Sequence, residues 1–468
     1  MKRSKRVLLV HPEISNSKYN FNGVIENEPL ELEYIVSVLK EKNIECEIFD
    51  VQREEISFEE KIKEYKPNIM YICGRIKQEN FMKNYIITTK KINRNIITIA
   101  GGVHVQKNYK RFFINELDYI LISFDIFKII DIINNLDLEN INGICYKKNN
   151  KWIVNDSEPF DINRLPHPDR TYFYSHLNNY RYLELAPCAQ VRTSYCCTFK
   201  CKFCYRNLTN NGKYVFRDID DVVEEIEHIN CDNIYFIDDD FLLNPPRLKR
   251  FIKLIKEKNI KKNYICFGRV DFIINNKELM KELKEIGFYY VLVGLEAITD
   301  NYLKDYNKLI KVDSNIECIK FMNEIKINIM GMLIVDLDFT KKDFKNLYKW
   351  IKINNLKHVA ISIFTPIMGT KTYDEYLDKL IITNPKYYDY FHVVAKPTNL
   401  SIRKYYLYYY ILLIKLFLLA KKQGVYDFLD YNFYIKNFIK NILKGKSVSN
   451  EWWTIYICSI CTLKHKSR

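Results

Sequence analysis

Within "SYCCTFKCKFCYRN", residues 194 to 207, four cysteines fall in nine positions. Three of them, Cys197, Cys201 and Cys204, have the spacing CxxxCxxC, which lets one tight loop aim three thiolates at a single cluster. Three protein ligands on a four-iron cluster leave one iron without a protein ligand, and that open position is where chemistry can start. A structural zinc would want four closed ligands from paired CxxC knuckles or histidines, and no second pair lies nearby. Ligation through Cys196 would change the spacing to CxxxxCxxC, so Cys196 is a neighbour and not a ligand; Cys188, upstream, is expected to be structural.

A loop that holds a cluster needs a rigid frame, and the pattern around it supplies one. "YLELAPCAQVRTS" leads into the loop, the helical "DIDDVVEEIEHI" follows, and "NIYFIDDDF" is a strand ending in acids. Strand and helix patterns then alternate through "YICFGRVDF", "YYVLVGLEA", "INIMGMLIVDLD" and "HVAISIFTP". Six such units over 186–385 predict a partial (β/α)6 barrel, whose functional groups lie at the carboxyl ends of the strands. Asp238, Asp239, Arg269 and Glu296 occupy such ends.

Residues 1–140 read as an α/β unit of a different kind, with near-continuous apolar strands ("RVLLVHP", "NIMYICG", "NIITIAGG") between amphipathic helices. That pattern predicts a doubly wound, Rossmann-like parallel sheet that binds ligands at its carboxyl edge. Residues 141–185, with the hairpin "GICYKKNNKWIV" and the proline-bearing "INRLPHPDRTYF", are expected to link the two domains. Residues 386–468 form a tyrosine-rich helical region. Its most apolar stretch, Tyr405 to Ala420, is interrupted by Lys415 and falls short of the roughly 20 apolar residues a membrane span needs. A buried helix is expected there, with a membrane-surface helix as the alternative. Cys458 and Cys461 form a lone CxxC, expected to be buried or redox-inert.

Composition sets the surroundings. With 468 residues, 48% hydrophobic and 15% aromatic, the chain is globular and excludes disorder. The formal charge of +15 is scattered along the whole sequence, so it singles out neither nucleic acid nor a membrane surface as partner. Thirteen cysteines without a secretion signal point to a reducing, cytoplasmic setting. Cys46, Cys73, Cys145, Cys266 and Cys318 sit in apolar patterns and are expected to fill core space.

The CxxxCxxC spacing, the aromatic Phe203 directly before the last cysteine, and the position after the first strand of the domain resemble the radical S-adenosylmethionine (radical SAM) superfamily. The resemblance implies a 4Fe–4S cluster on Cys197, Cys201 and Cys204, with SAM on the open iron and cleaved to a 5′-deoxyadenosyl radical. It also implies Phe203, Asp238, Asp239, Arg269 and Glu296 near SAM or substrate, and an electron donor such as flavodoxin or ferredoxin. Residues 1–140 resemble the cobalamin-binding domain that precedes such barrels, through "VLLVHP", "EPLELEYIVSVL" and "AGGVHV". There Gly101 and Gly102 would let the backbone approach a corrin closely. The chain lacks DxHxxG, so no histidine is expected to ligate cobalt from below, and "ISFDIF" replaces the glycine-glutamate-rich loop of many relatives. The implied activity is cobalamin-dependent methyl transfer to an unactivated carbon of a small or apolar metabolite. A radical rearrangement, cyclisation or oxidation is one alternative, and a non-catalytic iron–sulfur or nucleic-acid-binding protein another.

Overall fold

The structure, a computed structural model, describes residues 5–13, 24–134, 136–425 and 427; Cys458 and Cys461 lie outside them. Strands that are apolar on both faces need helices on both faces. The first sheet meets that need. Strands β1 (Arg6–His11), β2 (Glu45–Asp50), β3 (Ile69–Cys73), β4 (Ile97–Gly101) and β5 (Tyr119–Leu121) run parallel in the order β2-β1-β3-β4-β5. Val7 and Leu9 point to one side, where α1 (Leu30–Glu41) and α5 (Lys128–Ile133) cover them. Leu8 and Val10 point to the other, under α2 (Phe58–Tyr65), α3 (Glu79–Ile92) and α4 (Val103–Asn108).

The sequence pattern misplaces one element. The hairpin expected in the linker extends this sheet as β6 (Ile144–Lys148) and β7 (Lys151–Val154), both antiparallel, so the sheet has seven strands and the connection starts near residue 155. Ile144 and Cys145 are fully buried there, and the pairing closes an edge that β5 would otherwise leave open.

The second domain follows the predicted plan. Its sheet, β8 (Cys188–Val191), β9 (Asn233–Phe236), β10 (Asn263–Gly268), β11 (Phe288–Glu296), β12 (Asn328–Val335) and β13 (His358–Ile363), is parallel throughout and ordered as in sequence. Crossover helices α6 (Ile219–His228), α7 (Pro245–Glu257), α8 (Lys277–Glu285), α9 (Val312–Glu324) and α10 (Lys341–Ile353) bury their apolar faces against it.

The tyrosine-rich segment is α11 (Ile402–Lys422), capped by the Ser401 side chain. Tyr405 donates from its hydroxyl to the carbonyls of Val335 and Asp336, and Tyr409 to that of Ile361, each at 3.0 Å. Two buried phenols thus satisfy strand backbone groups, so α11 buttresses the barrel. Among the described residues no helix is long and apolar enough to cross a membrane.

A buried ionic chain joins the domains. Arg170, in the connection, donates to both oxygens of Glu28 at 2.7 Å, to the Gln190 carbonyl at 2.7 Å and to Glu225 of α6 at 2.8 Å. Arg217 pairs with the other oxygen of Glu225. Buried charges persist only when paired this fully, and the pairing fixes how the first domain sits on the barrel.

Candidate functional site

The cysteine loop leaves β8 through Thr193 and Ser194, whose backbone N–H groups donate to Asp238 at 2.6 and 2.9 Å. The Thr193 hydroxyl donates to the same carboxylate, which has no exposed surface. Asp238 was expected to face the cavity. It is instead spent on the loop's entry, because two successive N–H groups and a hydroxyl outcompete any ligand for its oxygens.

Cys196 follows with φ of +70°, a left-handed conformation that L side chains avoid and glycine adopts freely. Its thiol is directed to the carbonyls of Cys197 and Asn207 at 3.6 and 3.7 Å. Cys196→Gly is therefore expected to leave the iron content after reconstitution unchanged. Relief of about 1 kcal/mol of backbone strain offsets a similar loss of buried side chain, so the thermal midpoint is expected to stay nearly constant.

The loop is clamped from three further places. Lys202 donates its backbone N–H to the Tyr306 carbonyl at 3.0 Å, Asn307 donates to the Lys200 carbonyl at 2.9 Å, and Thr372 to the Lys202 carbonyl at 2.6 Å. Phe203 sets its ring edge-on against Tyr306, 5.4 Å between centroids, and so works as a packing anchor of the loop.

Cys197, Cys201 and Cys204 are all free thiols, close enough for Cys204 to sense both of the others electrostatically. Burial pushes Cys197 up to about 12 and Cys204 to about 11, despite the Phe199 and Arg206 backbone N–H groups that favour their thiolates. Such thiols ionise when a metal takes them. Arg269 brings a guanidinium nitrogen to 4.0 Å from the Cys201 sulfur and stacks on the Phe199 ring at 3.3 Å, held there by Asp271 and the Lys308 carbonyl. The Lys308 ammonium lies within electrostatic reach of the same sulfur. Among the described residues no three metal-binding side chains converge on a point that would hold one ion. Three thiols on one loop would leave one corner of a four-iron cluster without a protein ligand.

The remaining acids divide their work. Asp239 is paired with Arg206 at 3.1 Å. Glu296 has φ of +60° and binds Lys308 at 2.8 Å. Asp240, indistinguishable from its neighbours in the sequence, is 2% exposed, and neither of its carboxylate oxygens has a hydrogen-bond partner. Burial pushes it up to about 7 against the pull of Arg269. A buried carboxyl without a hydrogen-bond partner, close to the cluster loop, is a candidate to receive a cationic group of a ligand.

At the carboxyl edge of the first sheet, a Cβ on Gly101 would collide with the Tyr71 hydroxyl, and one on Gly102, with φ of +91°, would press on Cys73. These glycines therefore serve the domain's own packing at the strand ends. His104 has its two ring nitrogens engaged, by Glu79 at 2.8 Å and Asn108 at 3.3 Å, and His11 lies 3.2 Å from Asp50. This edge keeps both ring nitrogens of His104 occupied by side chains of its own domain. It faces the cysteine loop: Phe124, just past β5, stacks on Tyr195 with centroids 4.0 Å apart, and Asn108 reaches the Met368 carbonyl.

Fold and site together define an iron–sulfur partial barrel roofed by a Rossmann-like domain. Residues 191–351 match the radical SAM superfamily and residues 24–123 the B12 binding domain. The chain is a radical SAM protein with an amino-terminal B12-binding domain. It is similar to the hopanoid C-3 methylase of Methylococcus capsulatus, 27% identical over 223 residues that make up 47% of this chain and 43% of the relative. It is also similar to the anaerobic magnesium-protoporphyrin IX monomethyl ester cyclase of Cereibacter sphaeroides, 22% identical over 85% of this chain and 68% of that one. The cobalamin-dependent S-adenosylmethionine radical enzyme OxsB, solved with aqua-cobalamin and S-adenosylmethionine bound, shares the fold with a TM-score of 0.62 at 19% identity, over 81% of this chain and 55% of that chain. The chain thus spans less than half of the hopanoid relative and just over half of OxsB.

Proposed function

We propose that this protein transfers a methyl group to an unactivated carbon of a small or apolar metabolite, using a 4Fe–4S cluster, SAM and cobalamin. The observation that carries the proposal is the stacking of Tyr195, at the start of the cluster loop, on Phe124 at the ligand-binding edge of the B12-binding domain. It sets a radical source and a methyl carrier face to face.

When bound, the cluster and SAM supply a carbon-centred radical and cobalamin supplies the methyl group. The chain's own residues do the rest. Cys197, Cys201 and Cys204 would hold the cluster, and Arg269 and Lys308 would offset the charge of the thiolates. Asp240 takes the ammonium of SAM's methionine end. Glu296 and Asp239, each neutralised by a partner, shape the adjoining wall, and the domain roof, held where Asn108 meets the Met368 carbonyl, keeps water from the reacting atoms. A one-electron carrier such as flavodoxin or ferredoxin serves as reductant.

The test is anaerobic reconstitution followed by incubation with SAM, a strong reductant and methylcobalamin. Formation of 5′-deoxyadenosine with corrin retained through gel filtration is the expected result; no SAM cleavage by a fully loaded cluster would refute the proposal. A second assignment, radical cyclisation, is favoured by the cyclase relative, which aligns with most of the chain. It predicts SAM cleavage with no methyl label reaching any product.

A further inference from the structure

A cavity of about 510 Å3 opens where the first domain meets the back of the cluster loop. Gln106, Lys107 and Tyr109 line it from α4 and the turn that follows, Ser123 from the end of the sheet, Ser157 from the connection and Asn211 from the segment after the cysteines. Lys107 is the unusual member. Its side chain is half-buried, burial holds it below the usual lysine range, and among the described residues no carboxylate lies within ion-pair distance of it. Glu158, the acid on the rim, is exposed and accepts from Asn142 at 3.4 Å.

Ser123 accepts the Asp125 backbone N–H on its oxygen at 3.0 Å, which leaves its hydroxyl proton to donate. Half-burying a cation costs desolvation that nothing in the protein offsets, whereas an anion arriving in the cavity would form a charge-assisted hydrogen bond there. We propose that this cavity binds an oxyanion, the phosphate or carboxylate of a ligand held between the two domains, with Lys107 as counter-ion and the Ser123 hydroxyl as second donor. Two sources carry that chemistry: the phosphodiester in the nucleotide arm of cobalamin, or an acidic group on the substrate. The first source rests on the cobalamin assignment above; the site itself does not.

The test uses the full chain with its cluster reconstituted. Dissociation constants are measured for hydroxocobalamin and for cobinamide, which lacks the nucleotide arm and its phosphate, on wild type, Lys107→Met and Lys107→Arg. In parallel, acetylation of Lys107 in wild type is followed by peptide mass spectrometry with and without inorganic phosphate, the exposed Lys110 serving as control. If the corrin phosphate is the anion, Lys107→Met weakens hydroxocobalamin about tenfold, leaves cobinamide unchanged, and is rescued by Lys107→Arg. If another ligand supplies it, both corrins bind the variants as before while phosphate protects Lys107 and not Lys110. Unchanged corrin affinities together with no protection overturn the site. Should wild type bind no corrin, the cobalamin assignment fails by itself, and phosphate protection alone upholds or overturns the oxyanion site without depending on any variant.

Discussion

Cys201→Ala is expected to abolish SAM cleavage, lowering 5′-deoxyadenosine formation by about a thousandfold or more, a modest part of the accelerations enzymes achieve. The reason is structural as well as chemical. Cys201 is the buried middle thiol of the three, and Arg269 approaches its sulfur at 4.0 Å. Its loss leaves two thiols, too few to hold a four-iron cluster with one open corner. Iron and sulfide content after anaerobic reconstitution should collapse with activity, while the thermal unfolding midpoint changes little, since alanine fits the space of a small buried thiol. The loop itself should keep its place, because backbone hydrogen bonds to Asp238, Tyr306, Asn307 and Thr372 fix it independently of the metal. Full iron content with normal SAM cleavage in this variant would remove Cys201 from the ligand set.

Asp240→Asn is expected to weaken SAM binding by about tenfold to a hundredfold, the worth of one hydrogen bond to a charged group, with iron content preserved. Asp238 and Asp239 cannot substitute for it. The first is consumed by the backbone of Thr193 and Ser194, the second by Arg206. Asp240 alone of the three has two buried oxygens without a hydrogen-bond partner, so the folded protein bears a desolvation cost for its carboxylate that a bound cation would relieve. The amide removes that cost. The ligand-free variant should accordingly be no less stable than wild type, which separates a binding role from a merely structural one. Direct titration of SAM into the cluster-loaded protein, read by binding heat or by the change in the spectrum of the reduced cluster, checks the prediction. Equal affinities would mean that the ammonium is held elsewhere.

The alternation of apolar strands and amphipathic helices determined both α/β domains, since each strand had to be covered on two faces and each helix on one. The spacing of Cys197, Cys201 and Cys204 determined the cluster loop, because ligands within one tight turn are set by local chain geometry. Cys196 shows the limit of that legibility. Its place outside the ligand set followed from spacing, but its left-handed backbone appeared only in the structure.

Everything that depended on partners distant in sequence stayed hidden. The hairpin after residue 143 has the same local pattern whether it stands alone or extends a sheet, and only the open edge of β5 decided the matter. In "IDDDF" the three acids are chemically identical in sequence; residues 193, 194 and 206, brought in by the barrel, engaged two of them and left Asp240 free. Lys107 and Asn211 lie far apart in the chain and share one cavity only because the Arg170 ionic chain seats the first domain over the cluster loop. Local periodicity and spacing are properties of the chain by itself, whereas the charge state and availability of a buried side chain are set by which distant groups reach it first.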